Sequence, residues 1–242
     1  MEVVVLKFDS AVVVANPYKK NTSKTKREVE KFLRGHGVKI SKKGKVLITI
    51  GGDGTLLYNK DIYDKPIFGI GGRDSFICQA KFWNWRKKLA KLLEGFEFEE
   101  RSMLSCSVKG KKFENALNEV CLRSISYRLL ELELVAGEKK HEFGADGMIF
   151  STPTGSTAYA YSCGGVELPV HAKKYEAVAI APYRRKFSHI LIPENTKSIL
   201  KVKGTDKPQL IIDGQRKHVH YLPKQCVLTV SKSSRKVRLV KV

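Results

Sequence analysis

The stretch Val46-Leu47-Ile48-Thr49-Ile50-Gly51-Gly52-Asp53-Gly54-Thr55 runs an almost wholly apolar segment into a glycine loop around one carboxylate. Residues 46–50 read as a strand buried on both faces, as in the middle of a parallel sheet. A glycine turn at the carboxyl end of such a strand is where open α/β sheets bind ligands. Glycines carry no Cβ, so the loop's backbone N–H groups can approach a phosphate while Asp53 is displayed at the sheet edge. Gly51, Gly52, Gly54 and Thr55 are therefore the candidate phosphate loop, and Asp53 the candidate catalytic group. A plain Asp-Gly turn has the same local signature. The chain contains neither a Gly-x-x-x-x-Gly-Lys-Ser/Thr loop nor a Gly-x-Gly-x-x-Gly turn, so a nucleotide would be held by other means.

Outward from this loop, the first hundred residues alternate strand-like and helix-like patterns, the mark of a wound α/β unit. Residues 3–6, 12–15, 38–40, 46–50 and 66–70 read as strands. Residues 23–33 read as a helix, with Thr25 and Glu28 at capping-box spacing, and residues 56–63 and 82–93 read as two more. Trp83 and Trp85 read as packing residues at the start of the last one. Beyond about residue 98 the pattern becomes short alternating segments separated by Gly, Pro and Asn, as in a layered β-domain. These include 104–108, 120–122, 129–135, 148–150, 178–181, 190–192, 199–202, 210–212, 227–230 and 237–242. The expected fold is a Rossmann-like α/β domain over 1–98 followed by a β-sandwich-like, β-rich domain over 99–242, with the site between them.

With 242 residues, 42% of them hydrophobic, the chain can bury a sizeable core, which excludes intrinsic disorder. The first ten residues are too short and too soon interrupted by charge for a signal peptide, and no apolar run is long enough to span a bilayer. Five scattered cysteines without a Cys-x-x-Cys pair argue against a disulfide framework or a structural zinc site and fit a reducing, cytoplasmic setting. His218 and His220 read as an exposed strand pair on a basic segment, not as metal ligands. The charge is unusual: 45 Lys and Arg against 24 Asp and Glu leave +21, a field that attracts polyanions. Residues 19–45 alone hold eleven basic and two acidic residues, which read as a solvated face with some members near donor phosphates.

Two further stretches carry chemistry. Ser151-Thr152-Pro153-Thr154-Gly155-Ser156-Thr157-Ala158-Tyr159-Ala160-Tyr161-Ser162-Cys163-Gly164-Gly165 groups hydroxyls and small residues around aromatic rings, a composition suited to a planar base and its ribose. Asn118-Glu119 sets an amide beside a carboxylate in a strand-like context, which by itself also fits a bulge or a cap.

Together, GGDGT, NE and STPTGSTAY, in this order and at this spacing, resemble the NAD kinase family, and the likeness extends from about residue 46 to the turn Asp213-Gly214-Gln215. The GGDG loop alone is shared with diacylglycerol, sphingosine and phosphofructokinase relatives, whereas the TPTGSTAY segment is not. The resemblance implies phosphoryl transfer from ATP, another nucleoside triphosphate or polyphosphate to the 2′-hydroxyl of the adenosine ribose of NAD, giving NADP. It implies Asp53 as general base, with Asp53 and Gly54 also touching NAD, and Mg²⁺ or another divalent metal on the phosphoryl donor. It places Asn118 on the adenosine, and Glu119 on its ribose hydroxyls and beside a metal. Thr157, Ala158, Tyr159 and Ser162 would line the adenine pocket. Asp146 would face the nicotinamide ribose, and Gln215 would sit at the matching turn. Homodimers or homotetramers follow from the same likeness.

The chain departs from the family pattern at residues 69–77, which read Gly-Ile-Gly-Gly-Arg-Asp-Ser-Phe-Ile, and at Gly144, where a basic residue is common and His141 or Lys140 is the substitute. A lipid or sphingoid kinase is the competing reading within the GGDG group; no apolar helix or lid for an acyl chain accompanies the loop. A basic nucleic-acid-binding protein is the competing reading from another class, but aromatic RNA-binding strands and a recognition-helix signature are missing. Neither a membrane nor a specific nucleic acid is expected as a partner. The basic residues near the end, including Lys232 and Arg235, lie outside every motif.

Overall fold

The computed structural model describes residues 6–126 and 128–242, so most of the expected strand at 3–6 lies outside the described residues; Leu6 forms one bridge with Phe96. The chain divides into two compact units, Met1–Glu100 with Val237–Val242, and Arg101–Lys236. The sequence reading had assigned those last six residues to the β-rich half.

In the first unit, parallel strands lie in the order Lys39–Ile40, Ser10–Ala15, Val46–Ile50, Ile67–Gly71, with Leu239 of the last strand paired beside Ile67. Val46–Ile50 and Ile67–Gly71 are buried throughout, as strands flanked on both sides in a covered sheet must be. Val29 and Leu33 of helix Thr22–Gly35 and Trp85, Leu89 and Leu92 of helix Trp85–Glu94 pack into the same apolar core as Ile48, Ile50 and Phe68. Trp83, by contrast, is exposed. The expected capping box is absent. The helix begins at Thr22, whose hydroxyl is fixed on the carbonyls of Asn16 (2.6 Å) and Lys19 (2.7 Å). Thr25 thus falls inside the first turn and donates back to Asn21 O at 3.1 Å. The helix expected at 56–63 starts earlier, at Asp53.

The second unit is a β-sandwich. One layer orders His189–Pro193, Lys174–Ile180, Gly147–Ser151, Glu119–Ser124, Pro208–Ile212 and Val219–Tyr221 as an antiparallel sheet. The other pairs Lys139–Ala145, Leu130–Ala136, Ser198–Val202 and the strand beginning at Cys226. Alternation makes the core: Val120, Leu122, Met148 and Phe150 meet Leu132, Leu134, Leu200 and Leu228. The outward residues Cys121, Ile149 and Val178 are covered by Tyr159 and Ala160 of the short helix Tyr159–Ser162 and by Cys163, which follows it. The segments expected at 227–230 and 237–242 form one strand, Cys226–Lys241; the polar run between them reads as a gap, yet its backbone continues the ladder. All five cysteines are free and four are buried. No helix among the described residues is long and apolar enough to cross a membrane.

Candidate functional site

In the first unit, the chain leaves Val46–Ile50 through Gly51 (φ 144°) and Gly52 (φ 97°), both in the region that favours glycine. A Cβ on Gly51 would lie 2.4 Å from Thr55 Oγ1, and one on Gly52 2.9 Å from Ser75 Oγ, so space as well as φ demands glycine. Their N–H groups are already bonded, both to Ile70 O (3.0 and 3.2 Å). The loop donors that remain without a protein partner among the described residues are Asp53 N and Gly54 N, the first two of the helix. A Cβ on Gly54 would meet nothing within 4 Å, so that exposed glycine leaves its backbone bare. The Lys19 ammonium lies 3.5 Å from the point where a Gly52 Cβ would stand.

Asp53 is half-buried and held by the 69–77 loop that departs from the family pattern. Its Oδ2 accepts Phe76 N at 2.6 Å, and its Oδ1 accepts Ile77 N at 3.1 Å and Cys78 N at 3.2 Å. A carboxylate offers about four lone-pair sites, so the three N–H bonds leave one for a further donor. Ser75 packs against Gly71, where a Cβ would come within 2.2 Å of its hydroxyl, and its carbonyl accepts the Lys81 ammonium. The buried Cys78 thiol also bonds to Asp53; burial, then the Asp53 charge, pushes that thiol's pKa up.

The second unit gathers Asn118, Glu119, the TPTGST segment and the Asp213 turn. Asp213, at φ 52°, accepts Leu117 N (3.1 Å) and Glu119 N (3.2 Å), and Asn118 N at 2.7 Å. Its own N–H returns to Glu119 O at 3.0 Å. Sequence reasoning missed this clamp; the Asp-Gly pair of the turn was its one visible trace. Gln215 serves the turn itself, donating from Nε2 to Asp213 O at 3.1 Å. Gly155 allows the two loops to touch: a Cβ there would stand 2.2 Å from Asn118 O. Thr152 donates to Leu117 O and accepts Gly155 N at 3.1 Å, while Ser156 bonds Pro153 O and Leu168 N, each at 2.9 Å. Several hydroxyls expected to meet a ligand are thus consumed in shaping the segment; Thr157, Tyr159 and the exposed Ser162 follow it.

What remains open is specific. Asn118 Oδ1 and Glu119 Oε2 are buried and have no hydrogen-bond partner among the described residues. Burial, and then the Asp213 charge, pushes the Glu119 carboxyl up to about 8, so it holds its proton at neutral pH. No group of three His, Cys, Asp or Glu among the described residues could cage a metal. His218 is buried in a short helical turn and His220 bonds Glu114 at 2.8 Å, so they form no exposed strand pair.

Asp146 stands apart from Asn118 and Glu119. Along the Glu119–Ser124 strand, Glu119 pairs with Ser151 and Arg123 with Gly147, four residue steps away. That is about 14 Å at the usual strand rise. Asp146 is exposed at that far end, where Gly147 is required because a Cβ would come within 2.2 Å of Leu122 O. Tyr159 lies along the same outer face, where burial pushes its phenol up against the opposing pull of the Arg123 charge. Lys140, one substitute for a basic residue at Gly144, is engaged with Glu142 (2.9 Å) and Glu133 (3.4 Å).

Residues 117–242 match the family model described as ATP-NAD kinase C-terminal domain. An NAD kinase of Clostridium botulinum is 35% identical over 206 residues, covering 81% of this chain and 72% of its own length. One from Flavobacterium psychrophilum is 31% identical over 215 residues, covering 84% and 72%. Among solved structures, a yeast NADH kinase complexed with NADH has TM-score 0.84 at 18% identity, covering 98% of this chain and 84% of that one. An Archaeoglobus fulgidus NAD kinase in complex with ATP has TM-score 0.82 at 24% identity, covering 96% and 93%. The fold is common to these proteins, and the matched sequence takes in the Asn118-Glu119 pair, the TPTGST segment and the Asp213 turn that clamps them: the chain belongs to the NAD kinase family.

Proposed function

We propose that the chain is an enzyme that phosphorylates NAD, moving a phosphoryl group from ATP, another nucleoside triphosphate or polyphosphate to the 2′-hydroxyl of the adenosine ribose to give NADP. The observation that carries this reading is the Asp53 carboxylate, fixed by three backbone N–H groups and otherwise bonded to the Cys78 thiol, a weak donor that a substrate hydroxyl can displace.

A sugar hydroxyl is a weak nucleophile at neutral pH. Asp53 Oδ2 takes its proton as it attacks, an effect worth about 10²–10⁴ in rate. The phosphate-facing role read for the glycine loop falls to Asp53 N and Gly54 N, since Gly51 N and Gly52 N are spent on Ile70 O. Gly51, Gly52 and Thr55 instead set the loop's path, and Lys19 adds charge beside it.

Asn118 Oδ1 accepts from the adenosine, and Glu119, held neutral, donates to a ribose oxygen; both are the buried partnerless groups that a ligand would satisfy. Thr157, Ala158, Tyr159 and Ser162 line the adenine, and Asp146, about 17 Å along the strand, meets the nicotinamide ribose of an elongated dinucleotide. Gln215 acts by holding the Asp213 turn. The divalent metal, Mg²⁺ by preference, enters on the phosphates of the donor, where it neutralises charge; a contact with Glu119 requires that carboxyl to give up its proton as the cation binds. The cytoplasm as setting and a homodimer or homotetramer rest on the family likeness.

Purified protein incubated with NAD, Mg²⁺ and either ATP or polyphosphate should form NADP. Absence of NADP with every donor would overturn the reading, and the two donors compared side by side rank them.

A further inference from the structure

The basic residues near the end of the chain remain unused by the proposed reaction, and the fold gives two of them a place. Strand Cys226–Lys241 turns Cys226, Leu228 and Val230 into the sandwich core, so Thr229 and Ser231 face the other way. Strand Glu97–Val108, paired beside it, buries Leu104, Cys106 and Val108 and presents Ser105 and Ser107. The Ser105 hydroxyl lies 3.2 Å from both the carbonyl and the hydroxyl of Ser231, tying the strands on that face.

This face floors a cavity of about 510 Å³ within the second unit. Lys112, opposite Ser107 in the hairpin register, lines it together with Lys197, Lys232 and Arg235, and no Asp or Glu does. Lys232 is bridged to Glu194 at 2.7 Å, whereas Lys112 and Lys197 have no carboxylate partner among the described residues. The hydroxyls of Ser107, Thr229 and Ser234 likewise have no protein hydrogen bond there.

Cations along the wall and open hydroxyl donors in a concave site of small-molecule size match the oxygens of linked phosphates. The aromatic ring at the cavity, Phe113, is already engaged by the Lys111 ammonium, 5.6 Å over its centroid, and by the His220 ring at 4.8 Å between centroids, which makes it a poor platform for a base. We propose that this cavity binds a compact inorganic oligophosphate and shares no residue with the groups assigned above to NAD and the donor.

The test is calorimetric titration of the full chain with inorganic tripolyphosphate, with NAD and a non-hydrolysable ATP analogue both saturating. The expected result is binding of a single tripolyphosphate that weakens at least about tenfold in the Lys112→Ala/Lys197→Ala variant while the KM values for ATP and NAD stay unchanged. Ser234→Asp, which puts a negative charge on the rim, should weaken it similarly and covers the case in which the double variant misfolds. Equal affinity in all three proteins overturns the proposal, as does complete displacement of tripolyphosphate by the ATP analogue, which would assign it to the donor residues. Adenosine tetraphosphate should bind no tighter than tripolyphosphate; a gain from the nucleoside would overturn the assignment to an inorganic ligand.

Discussion

At the scale of single residues, the two carboxyls of the proposed site have opposite surroundings. Asp53 is surrounded by backbone donors and is the proton acceptor of the proposed reaction. In Asp53→Asn, the Oδ1 that receives Ile77 and Cys78 is kept and the other oxygen becomes an amide nitrogen facing Phe76 N. The Phe76 N–H loses its charged acceptor, about 1.5–3 kcal/mol, which a domain can absorb, so the fold survives while the base is gone. NADP formation should drop at least about 100-fold with NAD affinity little changed; near-normal turnover would remove Asp53 from its role. Glu119 is buried beside Asp213 and keeps its proton in the folded chain up to about pH 8, where the unfolded chain sheds it near 4.5. Its contribution to stability is therefore full below pH 4.5 and is lost as pH rises toward 8. Glu119→Gln, which cannot ionise, should show a melting temperature that falls less than the parent's between pH 5 and pH 8.5 while largely keeping NAD affinity, since its amide can still donate to the ribose oxygen. Parallel melting curves for the two proteins across that range would refute the protonated acid.

At the scale of elements, the glycines of the site divide by what a methyl group would strike. At Gly155 it would meet Asn118 O at 2.2 Å, and Gly155→Ala must push two backbone segments apart, at about 1–3 kcal/mol. At Gly54 it would meet open space on a helix, so Gly54→Ala should hold or raise the melting temperature and instead increase KM for the phosphoryl donor. Melting curves and donor kinetics on the two variants should give these opposite signatures, and a stable, fully active Gly54→Ala would clear the loop of any donor contact.

The same elements show what a sequence displays and what it hides. Apolar strands such as Val46–Ile50 and Gly147–Ser151 were legible because burial on both faces leaves little choice of residue. The run Ser231–Lys236 was not: its alternation slips as Ser233 turns inward, and hydrogen-bonded backbone continues beneath polar side chains. In the site, Asp53, Asn118 and Glu119 announced themselves as side chains. The groups that hold them did not, because Phe76, Ile77 and Cys78 act through N–H groups that every residue but proline possesses. Asp213 escaped notice as a clamp because its partners are also backbone, nearly a hundred positions away in the chain.

At the scale of the whole molecule, a net charge of +21 draws NAD, donor phosphates and any oligophosphate toward the surface before contact. Raising ionic strength from about 0.05 M to about 0.5 M shortens the screening length several-fold, so kcat/KM for both substrates should fall more than kcat itself. Salt-independent kcat/KM would mean that the field steers nothing.

The return of Val237–Val242 to the first unit, with Leu239 beside Ile67 and Val240 in its core, has a consequence for synthesis. On the ribosome, the segment carrying Asp53 emerges first, and domains ordinarily fold in that order. Here the segment that extends its sheet, Val237–Val242, is translated only after the whole of the β-sandwich, Arg101–Lys236. The half of the protein that is born first is thus finished after the other, and until then its strand Ile67–Gly71, paired beyond Ile70 by Ala80–Lys81, waits with the edge at Ile67 uncovered, a surface that a chaperone or a second nascent chain could occupy.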